Sequence, residues 1–346
     1  MIKTPKQEGF HMPAEWKEQQ AIWMSWPKDI DTFPEDCFPQ VQESFATVVK
    51  EVSQHQTVKI LVDDEKQKQQ VTNYLHKRGI HTDNMQFFEI PTMDVWIRDY
   101  GPTFLLNSKG QKAYTKWTFN AWGGKYEELF LDNNVFAAGI PEQKEVKQFN
   151  AGIVMEGGSI DVNGAGCVLT TKQCLLNKNR NPKLTQKQIE QKLTDYLSVE
   201  KVLWLNEGIV GDDTDGHVDD IARFISEDTI AYAIEYNTKD DNFKYLSENE
   251  KLLKEMTDVH GKKFKLVPIE MPPAMYYGKR RIPASHLNFL ITNKVVLVPT
   301  FGTQSDKKAI DTLQKHFPER KVIGIPSKEW AVGFGAVHCS TQQEPK

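Results

Sequence analysis

Cys339, near the end of the chain, has sequence neighbours unlike those of Cys167 and Cys174. Cys339 lies among glycine, histidine, serine, threonine and glutamine residues, whereas Cys167 and Cys174 lie in apolar sequence typical of buried structural thiols. The 4 cysteines show no C-x-x-C spacing, so the sequence predicts neither a zinc finger nor a disulfide framework. Cys339 is therefore the candidate nucleophile.

The segment from Gly211 to Asp220 is the densest cluster of acids and histidine in the chain. It does not match the spacing of a calcium-binding loop. If the segment is a strand, His217 and Asp219 point to the same face, which suits an imidazole acid/base beside a carboxylate that holds a cation. A metal site on His217, Asp219 and Asp213 remains an alternative, as does a solvated acidic loop.

A thiol, an imidazole and several carboxylates together indicate a cationic substrate. Carboxylates around the reacting bond would repel the oxyanion that forms in a thiol protease, so that class of enzyme is disfavoured. A guanidinium group is planar and carries N–H donors on several sides that match carboxylates in pairs. The residue types therefore favour chemistry at a guanidinium carbon.

Five polar clusters along the chain each contain an acid, a histidine or a cysteine and lead into an apolar run. Four of them are followed by two strand-like segments around a tight turn, which predicts hairpins. Because several strands can present their ends at one place, five such starts can bring carboxylates, an imidazole and a thiol together. The clusters are Trp96-Ile-Arg-Asp99, Glu156-Gly-Gly158, Gly216-His-Val-Asp219, Pro283-Ala-Ser-His286 and Val337-His-Cys339.

Helical periodicity alternates with these hairpins, so the repeating unit is strand, site cluster, hairpin and helix. A radial arrangement of such units leaves only short sheet edges, as in propellers, whereas a doubly wound sheet would alternate single strands with helices. We expect one domain over residues 1–346, with the strand Ala21–Pro27 pairing near the strand that follows Cys339. The predicted helices are Val41–Gln54, Glu65–Arg78, Gln186–Leu197, Glu248–His260 and Lys307–Phe317.

Composition excludes several classes of partner. With 43 Lys and Arg against 47 Asp and Glu, the formal net charge is −4 in 346 residues. No basic field is present to hold nucleic acid or an anionic membrane surface. The lack of an apolar run of about 18 residues argues against a membrane-spanning helix, and we expect a cytoplasmic protein.

Several long motifs, in the same order along the chain, resemble those of the agmatine deiminases. These enzymes belong to the wider guanidine-modifying superfamily that also holds the bacterial peptidylarginine deiminases. The motifs are Met12-Pro-Ala-Glu-Trp16, Trp23-Met-Ser-Trp-Pro27, Trp96-Ile-Arg-Asp-Tyr-Gly-Pro102, Glu156-Gly-Gly-Ser159, Asp213-Thr-Asp-Gly-His-Val-Asp219 and His338-Cys-Ser-Thr-Gln-Gln343.

The resemblance implies an α/β fold in the form of a five-bladed α/β propeller (pentein) with a central active site. It also implies hydrolysis of agmatine to N-carbamoylputrescine and ammonia, a step of putrescine biosynthesis, without a metal or organic cofactor. A homodimer is possible. By residue match, Cys339 is the nucleophile and His217 the acid/base, Asp99, Glu156 and Asp219 hold and polarise the guanidinium, and Trp96 lines the pocket.

Two departures from the family pattern leave other substrates open. Agmatine deiminases commonly read Gly-Gly-Gly-Asn-Ile-His-Cys before the nucleophile, whereas this chain has Phe334 and Ala336 in that segment. The segment beginning at Gln20 also differs from the usual Glu-Gly-Thr-Trp. Deimination of arginine or peptidyl-arginine, and non-catalytic binding of polyamines or guanidines, are the alternatives.

The charged residues near the clusters do not agree on the charge of the substrate's far end. A set of acids favours a diamine-like substrate, whereas three arginines near the clusters are suited to a substrate carboxylate. The acids are Asp94, Asp212, Asp213, Asp215 and Asp220, and the arginines are Arg98, Arg280 and Arg281.

Overall fold

The computed structural model describes residues 3–28, 32–81, 83–143 and 145–346. Short strands run through these ranges from one end to the other. They are β1 (Phe10–His11), β2 (Gln19–Ser25), β3 (Thr57–Val62), β4 (Met85–Glu89), β5 (Thr103–Asn107), β6 (Lys112–Thr118), β7 (Lys147–Val154), β8 (Asp161–Val162), β9 (Cys167–Thr171), β10 (Lys201–Leu205), β11 (Ala222–Ser226), β12 (Thr229–Ile234), β13 (Lys265–Glu270), β14 (Tyr276–Tyr277), β15 (Arg280–Arg281), β16 (Leu290–Ile291), β17 (Val295–Thr300), β18 (Lys321–Pro326) and β19 (Thr341–Pro345).

Helices lie between these strands. They are α1 (Phe38–Ser53), α2 (Glu65–His76), α3 (Ile97–Tyr100), α4 (Ala121–Gly124), α5 (Lys172–Leu175), α6 (Gln186–Leu197), α7 (Asn242–Glu255) and α8 (Gln304–His316). Short 3-10 turns occupy Lys6–Glu8, Glu127–Asn134, Gly157–Ser159, Val218–Asp220 and Trp330–Gly333. Within the described ranges, no helix combines the length and the apolar character that a bilayer crossing requires.

A three-strand pattern recurs five times. In each case the first and second strands pair antiparallel, and the second strand also pairs in parallel with a third. The five units in the described ranges are β19-β2-β3, β5-β6-β7, β8-β9-β10, β11-β12-β13 and β16-β17-β18. The parallel pair needs a crossover, and α1, α6, α7 and α8 provide it in four of the units. The predicted repeat of one helix with about three strands is confirmed, as are the four hairpins. The doubly wound alternative is wrong, because every sheet in the described ranges contains an antiparallel pair.

The two ends of the chain meet in one sheet, as predicted. Strand β19 pairs antiparallel with β2. Inside this sheet the buried carboxylate of Glu344 accepts hydrogen bonds from Trp23 (2.8 Å), Lys59 (2.7 Å) and Lys112 (2.5 Å). The nucleophile candidate therefore precedes a strand that is anchored to the N-terminal part of the fold.

Helix boundaries follow capping more closely than apolar spacing. The predictions for α2 and α6 hold to within two residues, but the prediction of a helix over Glu248–His260 is wrong, since α7 spans Asn242–Glu255. Asp240 accepts the backbone N–H of Asn242 at 2.8 Å in a turn directly before the helix, and Met256 after the helix is extended. A capping box of Thr303 and Asp306 likewise begins α8 earlier than its apolar pattern.

Three of the site clusters form tight turns. Asp99 lies in α3, the glycines after Glu156 lie in a 3-10 turn, and Val218–Asp220 form another. The expectation that His217 and Asp219 share a face because they lie in a strand is therefore wrong. The backbone turns directly after His217, so their relative position is set by the turn and by their partners.

Candidate active site

A cavity of about 350 Å³ opens beside the candidate nucleophile. Four aromatic side chains line it, and it carries more acidic than basic side chains. The aromatic residues are Trp96, Trp122, Tyr126 and Phe334, the acids are Asp94, Asp99, Glu128 and Asp213, and the base is Arg280. Cys339 lines the same cavity although it is only 4% exposed. The cavity is therefore suited to a slender cation whose far end reaches the thiol.

The Cys339 thiol is held among hydrogen-bonding side chains. Its sulfur accepts a hydrogen bond from Asn288 Nδ2 at 3.0 Å and lies 3.8 Å from Asp219 Oδ2. Burial, with Asp219, Asp220 and Asp99 nearby, raises the pKa of Cys339 well above its ordinary value. The resting site therefore holds a thiol.

His217 is buried and ready to accept a new partner. Its side chain has no exposed surface, and neither ring nitrogen has a hydrogen-bond partner among the described residues. Nδ1 lies 3.7 Å from Asp99 Oδ1. Burial lowers the pKa of His217 to about 3, in spite of the opposing effect of Asp219. The imidazole is therefore neutral at rest.

Gly158 lies where three functional side chains converge. A Cβ atom on this residue would lie 2.6 Å from His217 Nδ1, 3.0 Å from Asp99 Oδ1 and 3.1 Å from Asp219 Oδ2. The Gly158 N–H also donates to Asp99 Oδ1 at 3.0 Å. The glycine is thus needed for the close approach of side chains to its backbone.

The carboxyl group of Asp99 is fixed on the cavity wall. Its Oδ2 accepts a hydrogen bond from Trp122 Nε1 at 2.9 Å. Burial, followed by the charges of Asp219 and Glu156, raises the pKa of Asp99 well above its usual value, although its bonds to Trp122 and Gly158 oppose that shift. A cation bound next to Asp99 would restore the ionised form.

Asp219 presents one bonded and one unbonded oxygen. Oδ2 accepts from His338 Nδ1 at 2.7 Å, whereas Oδ1 is buried without a hydrogen-bond partner in the described chain. Burial alone would raise the pKa of Asp219, but His338, His217 and Arg223 together lower it below the usual value. Asp219 is therefore an anion with an oxygen available to a ligand.

Glu156 lies close to His217, and like His217 it is not among the residues that line the cavity. Its Oε1 accepts from Arg180 Nε at 2.6 Å, and Oε2 is 3.9 Å from the sulfur of Cys174. One ligand atom each from Glu156, Cys174 and His217 lie within 4.8 Å of one another. The family match implies that Glu156 helps to hold a guanidinium, and this role stays a prediction.

The alternative metal site on His217, Asp219 and Asp213 is not assembled in the described structure. Asp213 turns towards the cavity, where it accepts a hydrogen bond from Tyr126 and lies 3.4 Å from Lys125. The close group of ligand atoms around His217 includes neither aspartate.

Trp96 lines the cavity as predicted from the family match. A Cβ atom on Gly335 would lie 2.5 Å from the Trp96 ring and 3.0 Å from Cys339 Cβ, so this glycine lets the nucleophile loop pack on the indole. Phe334 has a φ of 76°, a left-handed conformation that suits glycine. Its ring lies 3.9 Å from the Arg280 guanidinium carbon, and both residues line the cavity.

The charged residues expected near the site divide into two groups. Asp94, Asp213 and Arg280 line the cavity. The others are outside the cavity lining and are engaged by neighbours. Their partners are Thr214 and Gly216 for Asp212, Arg180 for Asp215, Asn288 for Asp220, Gln343 for Arg98, and Asp240 for Arg281.

Sequence reasoning missed the contacts of two residues with the segment His338–Cys339. Asn288 bonds the thiol and also accepts from the backbone N–H of His338 at 3.0 Å. Glu15 bonds the ring of His338. The cluster that ends at His286 predicted a polar group at the site, but His286 itself bonds Ser305 and the carbonyl oxygen of Pro299. Asn288, two residues further on, reaches the thiol instead.

Comparison with known proteins places this arrangement in a family. The model for the Porphyromonas-type peptidyl-arginine deiminases matches residues 11–345. An agmatine deiminase of Pseudomonas syringae pv. tomato is 34% identical over 365 residues, covering 99% of this chain and 97% of the relative.

Two solved structures have the same α/β fold over nearly their whole length. An Enterococcus faecalis agmatine deiminase matches with a TM-score of 0.92 at 37% identity, covering 100% of this chain and 98% of that one. A Campylobacter jejuni agmatine deiminase with substrate bound matches with a TM-score of 0.86 at 32% identity, covering 97% and 96%. The chain therefore belongs to the Porphyromonas-type peptidyl-arginine deiminase family.

Proposed function

We propose that this protein is an agmatine deiminase, which hydrolyses agmatine to N-carbamoylputrescine and ammonia. The observation that carries the proposal is that Cys339 and Asp99 line one acid-lined cavity, while His217 and Asp219 lie directly behind them. His217, Asp99 and Asp219 converge on the backbone of Gly158, and the Cys339 sulfur is 3.8 Å from Asp219. Both ring nitrogens of His217 and Oδ1 of Asp219 are without hydrogen-bond partners in the described chain. The relatives named agmatine deiminases support the choice of substrate.

Substrate binding activates the nucleophile in this proposal. The guanidinium lies between Asp99 and Asp219, with Trp96 against the cavity wall. A cation about 4 Å from the sulfur, at an effective dielectric of about 20, contributes roughly 4 kcal/mol, or about three pKa units. The thiol that the acids hold protonated at rest then loses its proton to His217.

The first half of the reaction transfers the amidine carbon to sulfur. The thiolate of Cys339 adds to the guanidinium carbon, and protonated His217 gives its proton to the departing nitrogen, which leaves as ammonia. The product is an S-alkylthiouronium on Cys339, and His217 is neutral again.

The second half returns the enzyme to its resting state. His217 removes a proton from water, the resulting hydroxide adds to the thiouronium carbon, and the carbon–sulfur bond breaks. The sulfur is released as thiolate and recovers a proton from His217. The proton that remains on the added oxygen passes to solvent as the carbonyl forms, and the carbon leaves as the neutral urea group of N-carbamoylputrescine. Glu156, bonded to Arg180 behind His217, acts in this scheme on the position of the imidazole.

The charge of the cavity favours agmatine over arginine. Agmatine carries an amine at its far end, and Asp94, Glu128 and Asp213 line the same cavity. Arg280 is the observation that favours the second candidate, deimination of arginine, because its guanidinium can pair with a carboxylate. It is already held, however, by the Val332 carbonyl oxygen and by the ring of Phe334.

The proposal extends to the architecture. Five three-strand units are recorded in the sheet pairing, and we propose that they surround one axis as a five-bladed propeller, in a single domain, with the site at the centre. An amidinotransferase from Microseira wollei matches with a TM-score of 0.52 at 11% identity and supports the fold alone.

Ammonia release from agmatine, free arginine and an arginine-containing peptide tests the proposal. We expect a kcat/KM for agmatine at least about tenfold above the others, which corresponds to one charge interaction of about 1.4 kcal/mol. Cys339→Ala serves as the control and should release no ammonia. Equal turnover of all three compounds, or none, would refute the assignment, and activity in Cys339→Ala would refute the nucleophile.

A further inference from the structure

The Met12–Trp16 motif at one end of the chain meets the nucleophile loop at the other. Glu15 Oε2 lies 2.9 Å from Nε2 of His338, the residue directly before Cys339. The other ring nitrogen of His338, Nδ1, lies 2.7 Å from Asp219 Oδ2. A buried line of three side chains thus runs from the N-terminal motif to the carboxylate that faces the substrate.

Hydrogen-bond chemistry fixes the number of protons in this line. An ionised carboxylate has no proton to donate, and a neutral imidazole has a single N–H. Because both ring nitrogens of His338 face carboxylate oxygens, either the ring carries two protons or one of the two acids is protonated.

Glu15 is held as a carboxylate by other donors. Arg223 Nη2 donates to its Oε2 at 2.6 Å, and the Ile291 N–H donates to its Oε1 at 2.7 Å. Burial alone would raise the pKa of Glu15, but Arg223 and His338 hold it well below its usual range. A proton on Glu15 would disrupt its pairing with a buried arginine, and the pKa of Asp219 is also held below its usual value. Both ring nitrogens of His338 therefore act as hydrogen-bond donors to carboxylates.

The backbone around His338 is fixed as well. Asn288 Oδ1 accepts from the His338 N–H at 3.0 Å, and Arg98 Nε donates to the His338 carbonyl oxygen at 3.3 Å. Hydrogen bonds therefore fix His338 both at its backbone and at the two nitrogens of its ring.

We propose that His338, clamped by Glu15, is a positioning residue that keeps Asp219 ionised and leaves its Oδ1 free for the guanidinium. This role rests on the proposed function, since it acts through the carboxylate that binds the substrate cation. It also gives the Met12–Trp16 motif a part in the reaction, although the motif itself lies outside the cavity lining.

Other charges act on the same groups. Those that act on Asp219 are His217, His338, Arg98, Arg223, Cys339, Asp99, Asp212 and Asp220. Those that act on the His338 side of the line are Glu15, Arg223 and Asp161. Replacement of His338 by a neutral residue removes the cation bonded directly to Asp219 and leaves the surrounding acids in place.

Two single substitutions of His338 distinguish its hydrogen bond to Asp219 from its hydrogen bond to Glu15. The amide N–H of an asparagine can take the place of Nδ1 towards Asp219, whereas that of a glutamine takes the place of Nε2 towards Glu15. We expect His338→Asn to lower kcat/KM roughly tenfold, and His338→Gln roughly a hundredfold, the range for loss of a hydrogen bond to a charged group. Comparable activity of the two variants, or higher activity of His338→Gln, would overturn the proposal.

The acid limb of the pH profile supplies a readout that a purely structural role would leave in place. Without the imidazolium, Asp219 takes up a proton at higher pH, so the acid limb of kcat/KM should move to higher pH and become steeper in both variants. Glu15→Gln, which keeps the shape of the side chain, should give a neutral His338 and move the limb in the same direction. An unmoved limb in Glu15→Gln and His338→Asn would overturn the proposal.

The proposed function and the role of His338 can fail separately. Ammonia release by the wild-type protein decides the function without any change at His338. If it is absent, calorimetric titration of agmatine into Cys339→Ala, with and without His338→Gln, still measures the charge on Asp219. We expect weaker binding in the double variant, with the difference largest at low pH, and equal affinities at every pH would overturn the role of His338.

Discussion

Replacement of Gly158 by alanine should disable the site through a single methyl group. The added Cβ would lie 2.6 Å from His217 Nδ1, whereas ordinary contacts of such an atom are 3.4–4 Å. The contacts to the carboxylates of Asp99 and Asp219, at 3.0 and 3.1 Å, close the other directions. The imidazole must therefore move by about 1 Å, and a shift of that size costs about a hundredfold in rate, or about 2.7 kcal/mol in the barrier.

Gly110→Ala is the matched control. Gly110 lies in the turn of a hairpin with a φ of +72° and has no atom within 4 Å of an added Cβ. The left-handed conformation should cost about 1–2 kcal/mol of stability, similar to the 1–3 kcal/mol expected from overpacking at Gly158. The two variants should therefore melt at similar temperatures but differ in turnover.

Steady-state ammonia release from agmatine and thermal unfolding together decide the matter. We expect Gly158→Ala to lose about a hundredfold in kcat/KM while Gly110→Ala stays within about twofold of the wild-type value. A folded Gly158→Ala protein with wild-type kinetics would refute the inference that the imidazole and both carboxylates act around this backbone.

Further predictions concern the charges of the cavity and of the sheet that joins the chain ends. Arg280→Ala should raise kcat/KM for agmatine roughly threefold or more and lower kcat/KM for arginine, because the substitution removes a cation from the cavity. Arg281 lies outside the cavity lining and is paired with Asp240, so Arg281→Ala should change neither value. Glu344→Gln should lower the free energy of unfolding by about 3 kcal/mol at pH 7, measured by denaturant titration. Since Lys59 and Lys112 lower the pKa of Glu344 against the effect of burial, this difference should persist above the unfolded-state pKa and shrink as the pH falls through the folded-state pKa. Without substrate, the rate of alkylation of Cys339, measured by the loss of ammonia release, should still increase with pH above pH 9. A rate that becomes constant at neutral pH would contradict the raised pKa of Cys339.

The strands were more predictable than the helix ends, for a physical reason. Alternation of apolar residues and the turn between two runs are both local, and the four hairpins depend on little else. The beginning of α7 depends on the carboxylate of Asp240, outside the apolar pattern of the helix, so periodicity placed the helix too late.

The site was predictable as a set of residue types and less so as a set of contacts. Cys339, Asp99 and Trp96 do line one cavity, and the backbone of Gly158 brings His217 and Asp219 to the same place. Glu156 has the right type in the right cluster, but its partner Arg180 lies in a loop whose approach no local pattern indicates. The pairing of Glu15 with His338 spans 323 residues and likewise has no local signal.

The charge state of the resting site explains why a cation is needed to start the chemistry. Burial and neighbouring acids raise the pKa of Cys339 and of Asp99, and burial lowers that of His217, so all three groups favour their neutral forms. Asp219, paired with His338, is held ionised. A guanidinium that reaches the thiol therefore meets Asp219 as an anion, and its own charge then favours ionisation of Asp99 and of the thiol together. A neutral urea of the same shape would gain neither effect, so the product has no reason to remain bound or to react again.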